Sequence, residues 1–467
     1  MRMLKTAAAA LALAAFAPSL APAFAQDKET PPPGSAPRDF ALPEIETYTL
    51  KNGVKVTLVP WGRSPKAVVR AVVRVGNLND GDKPFIADLA ADMMQEGSDG
   101  KTAAAIAEEA SALGGDLEVG VGLDQTFAQM DVLAASAPEA IALLAGALQR
   151  PTFPEAEFGK VRQNVLRNVS IAASQPGQIS SNAFYGALYP DHPYGVVIPD
   201  AEKLGAITLD EVKAFHAANF GGARTHIFVV GQFDARKVKR AINAEFGKWA
   251  KGPAPLSLPV EGGDAAVVRL IDRPGAVQST IRLGKRVPPI DGSVELEAAD
   301  TLLGGYFSSR ITRNIREDKG YTYSPTSFVN ANYKAANWQQ NADITSEATG
   351  PAIAEIIKEI RRLQTEAPSA EETQGIKNYM NGLFVIGLAS RGGMAGQLAF
   401  LDLHELGVDY LESYVGKVAA LTPGALQAAA ATHLPVDELS LVVVGDLKTV
   451  RKQLEALPDF KDRLPPQ

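Results

Sequence analysis

Residues 207–231, ITLDEVKAFHAANFGGARTHIFVVG, and residues 421–445, LTPGALQAAAATHLPVDELSLVVVG, are one unit met twice. Ile207-Thr208 answers Leu421-Thr422, and Val229-Val230-Gly231 answers Val443-Val444-Gly445, at a constant offset and without a gap. Each copy reads as a helix opened by a Thr N-cap, then an apolar strand. In the first copy Glu211, three positions after Thr208, completes a capping box. A second pair keeps nearly the same spacing: Ala140-Ile141, Leu144 and Leu148 return as Ala352-Ile353, Ile356 and Ile360. A period of more than about 200 residues marks a duplicated domain, since solenoid repeats run to about 50. The fold class that follows is α+β: two homologous domains, each an antiparallel sheet with helices packed on one side. The expected boundaries are 41–250 and 265–460, joined by a Pro/Gly-rich linker at 251–264.

Outward from the first copy, the remaining elements of its domain can be read in order. Glu46 to Leu50 and Val54 to Val59 flank Asn52-Gly53, a strong hairpin signal. Val68 to Val75 is a third strand. Helical periodicity covers Pro84 to Met94, Thr102 to Leu113, Ala137 to Gln149 and Glu155 to Ala173. The glycine-rich run Arg391 to Gly396 lacks a following Lys-Ser/Thr and reads as a flexible connector, not a phosphate loop.

The N-terminus reads as a signal peptide over residues 1–25. Arg2 and Lys5 precede an apolar run, and Ala23-Phe24-Ala25 offers a small-x-small cleavage site, so the mature chain is expected to start at Gln26. Pro18 and Pro22 break that run, and no later stretch reaches the ~18 apolar residues of a span. Export to the periplasm or medium is therefore expected, with no membrane span. Residues 26–40 are a polar, Pro-rich lead-in. A net charge of −7 offers no basic face for nucleic acid. The absence of cysteine removes disulfides, thiolate metal sites and cysteine nucleophiles.

From about Ala41 to Leu457 the chain resembles the pitrilysin/insulinase family of metallopeptidases, the inverzincins. The opening hairpin, Leu113-Gly114-Gly115, Pro151-Thr152-Phe153 and His192-Pro193-Tyr194-Gly195 carry the likeness, together with Leu303-Gly304-Gly305-Tyr306-Phe307-Ser308-Ser309-Arg310. Active members carry H-x-x-E-H on the first long helix. Two imidazoles one turn apart hold zinc, and the Glu between them activates water. Met93-Met94-Gln95-Glu96-Gly97-Ser98 fixes the register, and the pentapeptide here reads Asp88-Leu89-Ala90-Ala91-Asp92. Both histidines are Asp, and the catalytic Glu is Ala91. The later Glu ligand falls, by family spacing, on Asn168. A methyl group cannot take a proton from water, so the hydrolytic chemistry is lost from this site.

Asp88 and Asp92 at i, i+4 could contribute to a hard-cation site, but paired Asp on an exposed helix face is far more often a solvated surface. The five histidines show no metal-ligand spacing and read as scattered structural or surface residues. No cofactor is expected in this chain.

The second half keeps Arg316-Glu317-Asp318-Lys319-Gly320-Tyr321-Thr322-Tyr323. The resemblance implies that Arg316 and Tyr323 reach into a catalytic chamber, hold the substrate backbone and stabilise the oxyanion. The bland alternative pairs Arg316 with a nearby carboxylate and packs Tyr323 in a strand. Some bacterial members divide the roles between two half-size chains, one with H-x-x-E-H and one with the Arg/Tyr pair. The resemblance therefore implies a zinc-bearing homologous partner subunit and an unstructured peptide substrate. A catalytically inert scaffold of the same fold is the alternative. Glu118-Val119 replaces the Asn-Ala common on the family's substrate-binding edge strand, which leaves that strand's role open.

Overall fold

The computed structural model describes residues 42–261 and 266–466. The signal peptide and the lead-in lie outside the described residues, as do residues 262–265 of the linker. The first half runs β1 (Glu46–Thr49), β2 (Lys55–Pro60), β3 (Lys66–Val73), α1 (Ile86–Gln95), β4 (Gly97–Ser98), β5 (Lys101–Thr102), α2 (Ala103–Ala112), β6 (Glu118–Val121) and β7 (Thr126–Leu133). It continues through α3 (Ala137–Gln149), α4 (Glu155–Ser174), α5 (Pro176–Leu188), α6 (Ala201–Ala206), α7 (Leu209–Asn219), β8 (Thr225–Gly231) and α8 (Ala235–Phe246). The second half runs β9 (Val268–Asp272), β10 (Gln278–Val287), α9 (Glu295–Asp300), α10 (Arg310–Thr312), β11 (Thr326–Asn332) and β12 (Ala335–Thr345). It closes with α11 (Thr349–Thr365), α12 (Ala370–Ala389), α13 (Arg391–Leu403), α14 (Asp409–Ala420), α15 (Pro423–His433), β13 (Ser440–Gly445) and α16 (Leu447–Glu455).

The sheet orders expose the duplication. The first is β1-β2-β8-β3-β7-β6 and the second is β9-β13-β10-β12-β11 in the corresponding direction. Apart from the extra β1, strand matches strand. The repeated unit is confirmed in detail. Thr208 accepts from the Glu211 amide and Glu211 reaches back to Thr208, while Thr422 accepts from the Ala425 amide. Asp234 and Asp446 then cap the helices that follow β8 and β13. The sheets are mostly antiparallel, as expected, with one parallel pair in each: β2 with β8 and β9 with β13.

Helices of its own half cover one face of each sheet. Val56, Leu58 and Val69 share a core with Leu89, Met93, Ile141 and Leu144, and Ile281, Leu283 and Trp338 share another with Ile353, Ile356 and Ile360. The opposite face receives a helix from the other half. Phe184 and Leu188 of α5 pack with Val442 and Val444 of β13, and α13 packs on β8 and β3. This explains why β8 and β13 read as continuous apolar runs rather than alternating ones: each is buried along its whole length, on both faces. Polar anchors fix the exchange. Asp402 of α13 lies 3.2 Å from Lys55 Nζ and 3.0 Å from His226 Nδ1, Arg391 pairs with Asp131, and Arg282 donates to Ser181. The glycine-rich run at 391–396 is thus no flexible connector. It forms the first turns of α13, capped by Ser390 and held by Arg391 against the first sheet.

Candidate functional site

The first-half site is built on α1. Its N-terminal amides are capped by Asp80, which accepts from the amides of Phe85 (2.7 Å) and Ala87 (3.1 Å). Asn77 Nδ2 bridges Asp80 Oδ2 (3.1 Å) and Asp88 Oδ2 (2.6 Å). Asp88 and Asp92 are therefore not the solvated pair expected from sequence: both are half-buried, and Asp88 is tied into the cap. Burial pushes the Asp88 carboxyl up to about 6, with the Asn77 bond opposing and the charge of Asp92 adding. Burial pushes Asp80 up to about 7, and burial and Glu96 raise Asp92. Ala91 is 2% exposed and belongs to the core. Asn168 lies exposed on α4. A cleft of about 390 Å³ lies beside Asn77 and Asp80, with Phe85, His192 and Val196 also lining it. Among the described residues no group of three or more His, Asp or Glu is placed to hold a metal ion.

The histidines serve the fold where their contacts are known. His216 bonds to the Leu148 carbonyl (2.9 Å) and stacks on Phe220, and His192 accepts from the Tyr194 amide.

The second-half site is built on wide, irregular helical turns. After α9 the chain passes through five-residue-wide turns at Thr301–Gly305 and again at Arg313–Asp318, on either side of α10. Such widened turns recur at functional sites. Gly304 is obligatory, because a Cβ there would lie 2.6 Å from both Ser327 Oγ and Gln340 Oε1 on the sheet. Beside it the buried Asp300 accepts from Ser327 Oγ (2.5 Å) and Trp338 Nε1 (2.7 Å). Burial raises its carboxyl to about 7 despite those two donors, and the charge of Glu297 adds. Arg310 pairs bidentately with Glu372, and Asn314 donates to Glu355 and Glu359, so the segment is pinned to α12 and α11. Gly320, at φ +64°, then reverses the chain. Thr322 Oγ1 bonds to the Asp343 carbonyl of β12 (2.6 Å), which fixes the next residue, Tyr323.

The outcome brings the two expected residues together. The Arg316 Cζ lies 4.8 Å from the Tyr323 ring centroid and 4.2 Å from that of Phe307. Arg316 makes no ion pair among the described residues, and Tyr323 is 79% exposed in a loop. Neither the ion pair nor the strand packing of the bland alternative is present among the described residues. Sequence reading missed the part of Phe307. It is 63% exposed, and only the fold shows which side chain it meets.

Two family models match the chain: "Insulinase (Peptidase family M16)" over residues 60–199 and "Peptidase M16 inactive domain" over residues 206–380. Among solved structures, one described as a peptidase M16 inactive domain from Pseudomonas fluorescens superposes with a TM-score of 0.81 at 26% identity. The match covers 86% of this chain and 98% of that one. A protease from Helicobacter pylori shares the fold at a TM-score of 0.79 and 20% identity, over 87% of this chain and 100% of the other. A protein of Rickettsia felis named an uncharacterized zinc protease is 25% identical over 286 residues, 60% of this chain and 68% of its own length. The chain belongs to the M16, or insulinase, peptidase family.

Proposed function

We propose that this chain is the exported, metal-free subunit of a heterodimeric zinc peptidase. It lends Arg316 and Tyr323 to a chamber completed by a homologous subunit that carries H-x-x-E-H and the zinc. The carrying observation is the state of Arg316: a half-buried side chain flanked by rings, with no carboxylate among the described residues taking its donors, beside an exposed phenol. Donors held in advance, and left unneutralised, suit an oxyanion that develops only in the transition state. The match to the inactive-domain model supports the same reading. An unstructured peptide is the proposed substrate.

The test is to combine the zinc-bearing partner with wild-type chain, Arg316→Ala or Tyr323→Phe. Equal complex formation is confirmed by gel filtration before peptide cleavage is measured. Loss of one oxyanion donor is expected to lower turnover by about 100–1,000-fold. If the pair chiefly grips the substrate backbone, the loss falls on KM instead. Unchanged kinetics in both variants would leave the inert scaffold as the role of this chain. Export is tested separately, by N-terminal sequencing of protein from fractionated cells. Gln26 is the expected first residue, and an intact Met1 in the cytosol would overturn it.

A further inference from the structure

We infer that Phe307 is the positioning residue of Arg316, the ring that fixes its guanidinium; the consequence for turnover rests on the catalytic reading of Arg316 above. An arginine side chain loses on the order of 2 kcal/mol of rotamer freedom when it is held still. The usual way to hold it is a carboxylate fork, which consumes its N–H donors and cancels its charge. Here no carboxylate does so among the described residues. An aromatic face can hold the same group while leaving its in-plane N–H donors unused and its charge intact.

Two rings approach Arg316, from two separately braced segments. Tyr323 follows Thr322, which is bonded to β12. Phe307 follows Tyr306, whose ring lies 5.1 Å from that of Tyr379 on α12, and precedes Ser309, whose amide bonds back to the Tyr306 carbonyl (3.1 Å). The segment is thus held on either side of Phe307, while the Phe307 side chain stands 63% exposed and 4.2 Å from Arg316. A large apolar side chain held out in solvent contributes little to a core. Its contact with Arg316 gives it a reason to be there. The division of labour follows from chemistry: the Tyr323 hydroxyl can donate to a substrate, whereas Phe307 has no polar atom and can act only through Arg316.

The experiment uses the full chain, alone and in complex with its zinc-bearing partner. In the isolated chain, ring current from Phe307 should shift the Arg316 Cδ proton resonances upfield, assigned by their loss in Arg316→Lys. Phe307→Leu should remove much of that shift with little change in melting temperature, and Phe307→Trp should keep it. In the complex, Phe307→Leu should lower kcat/KM by about threefold to thirtyfold, as expected for a lost cation–π contact, and Phe307→Trp should restore it. A shift and a turnover that Phe307→Leu leaves untouched would overturn the inference, as would equal damage by Leu and Trp. Should Arg316→Ala itself leave turnover unchanged, the catalytic reading is what fails. The proton shift then still decides whether Phe307 fixes the guanidinium.

Discussion

The helix that follows the third strand of the first half and its counterpart in the second half have taken opposite courses. In α1 the acids Asp88 and Asp92 are half-buried. Asp88 is bonded to Asn77, and Ala91 is core. In the second half the buried acid, Asp300, lies behind the site as an internal brace, and the residues in front of it, Phe307, Arg316 and Tyr323, are partly or largely exposed. Of the acids on α1, Asp88 is tied through Asn77 to the Asp80 cap. In the second half, contacts with the sheet at Asp300, Gly304 and Thr322 hold the segments that present the exposed side chains.

The comparison can be broken first at the level of turnover. In the heterodimer, Asp88→Asn with Asp92→Asn should leave cleavage unchanged, where Arg316→Ala costs about 100–1,000-fold. The isolated wild-type chain should also carry no stoichiometric zinc by elemental analysis. A tenfold or greater loss in the double variant, or one zinc per isolated chain, would show that the first-half site still takes part.

Next in size is the pH response of the brace. The folded Asp300 holds its proton up to about pH 7, whereas an unfolded Asp releases it near 3.8. Its contribution to stability is therefore fully present below the unfolded pKa and is lost as pH rises through the folded value. Asp300→Asn should remove roughly 2–4 kcal/mol of this pH-dependent stability between about pH 4 and 7. Asp80 and Asp88 add slopes of the same sign, so the variant should flatten the melting-temperature profile without abolishing its trend. An unaltered profile would mean that Asp300 is ionised in the folded chain.

The smallest effects contrast two glycines. Gly304→Ala places a methyl group against Ser327 and Gln340 and should destabilise by about 1–3 kcal/mol. Gly159 on α4 faces open space, and Gly159→Ala should stabilise by about 0.5–1 kcal/mol through helix propensity. Thermal denaturation of both variants, together with the Arg316 proton shift in Gly304→Ala, would show whether that approach also sets the site.

Much of this protein was legible in its sequence because it rests on local physics. The Thr208 cap with Glu211 and the Asn52-Gly53 hairpin depend on neighbours a few residues apart, and the duplication repeats at a fixed spacing. The inertness of Ala91 also follows from residue type alone, since no fold gives a methyl side chain a basic group. The tertiary structure decided the rest, because those contacts follow no regular spacing along the chain. Asp88 reads as surface until Asn77 is brought against it. The run at 391–396 reads as a connector until Arg391 meets Asp131 from the other half. Phe307 reads as one more apolar residue until the fold places its ring on Arg316. A side chain's meaning at a site is set by what meets it there, and contacts between distant segments leave no periodic trace in the chain.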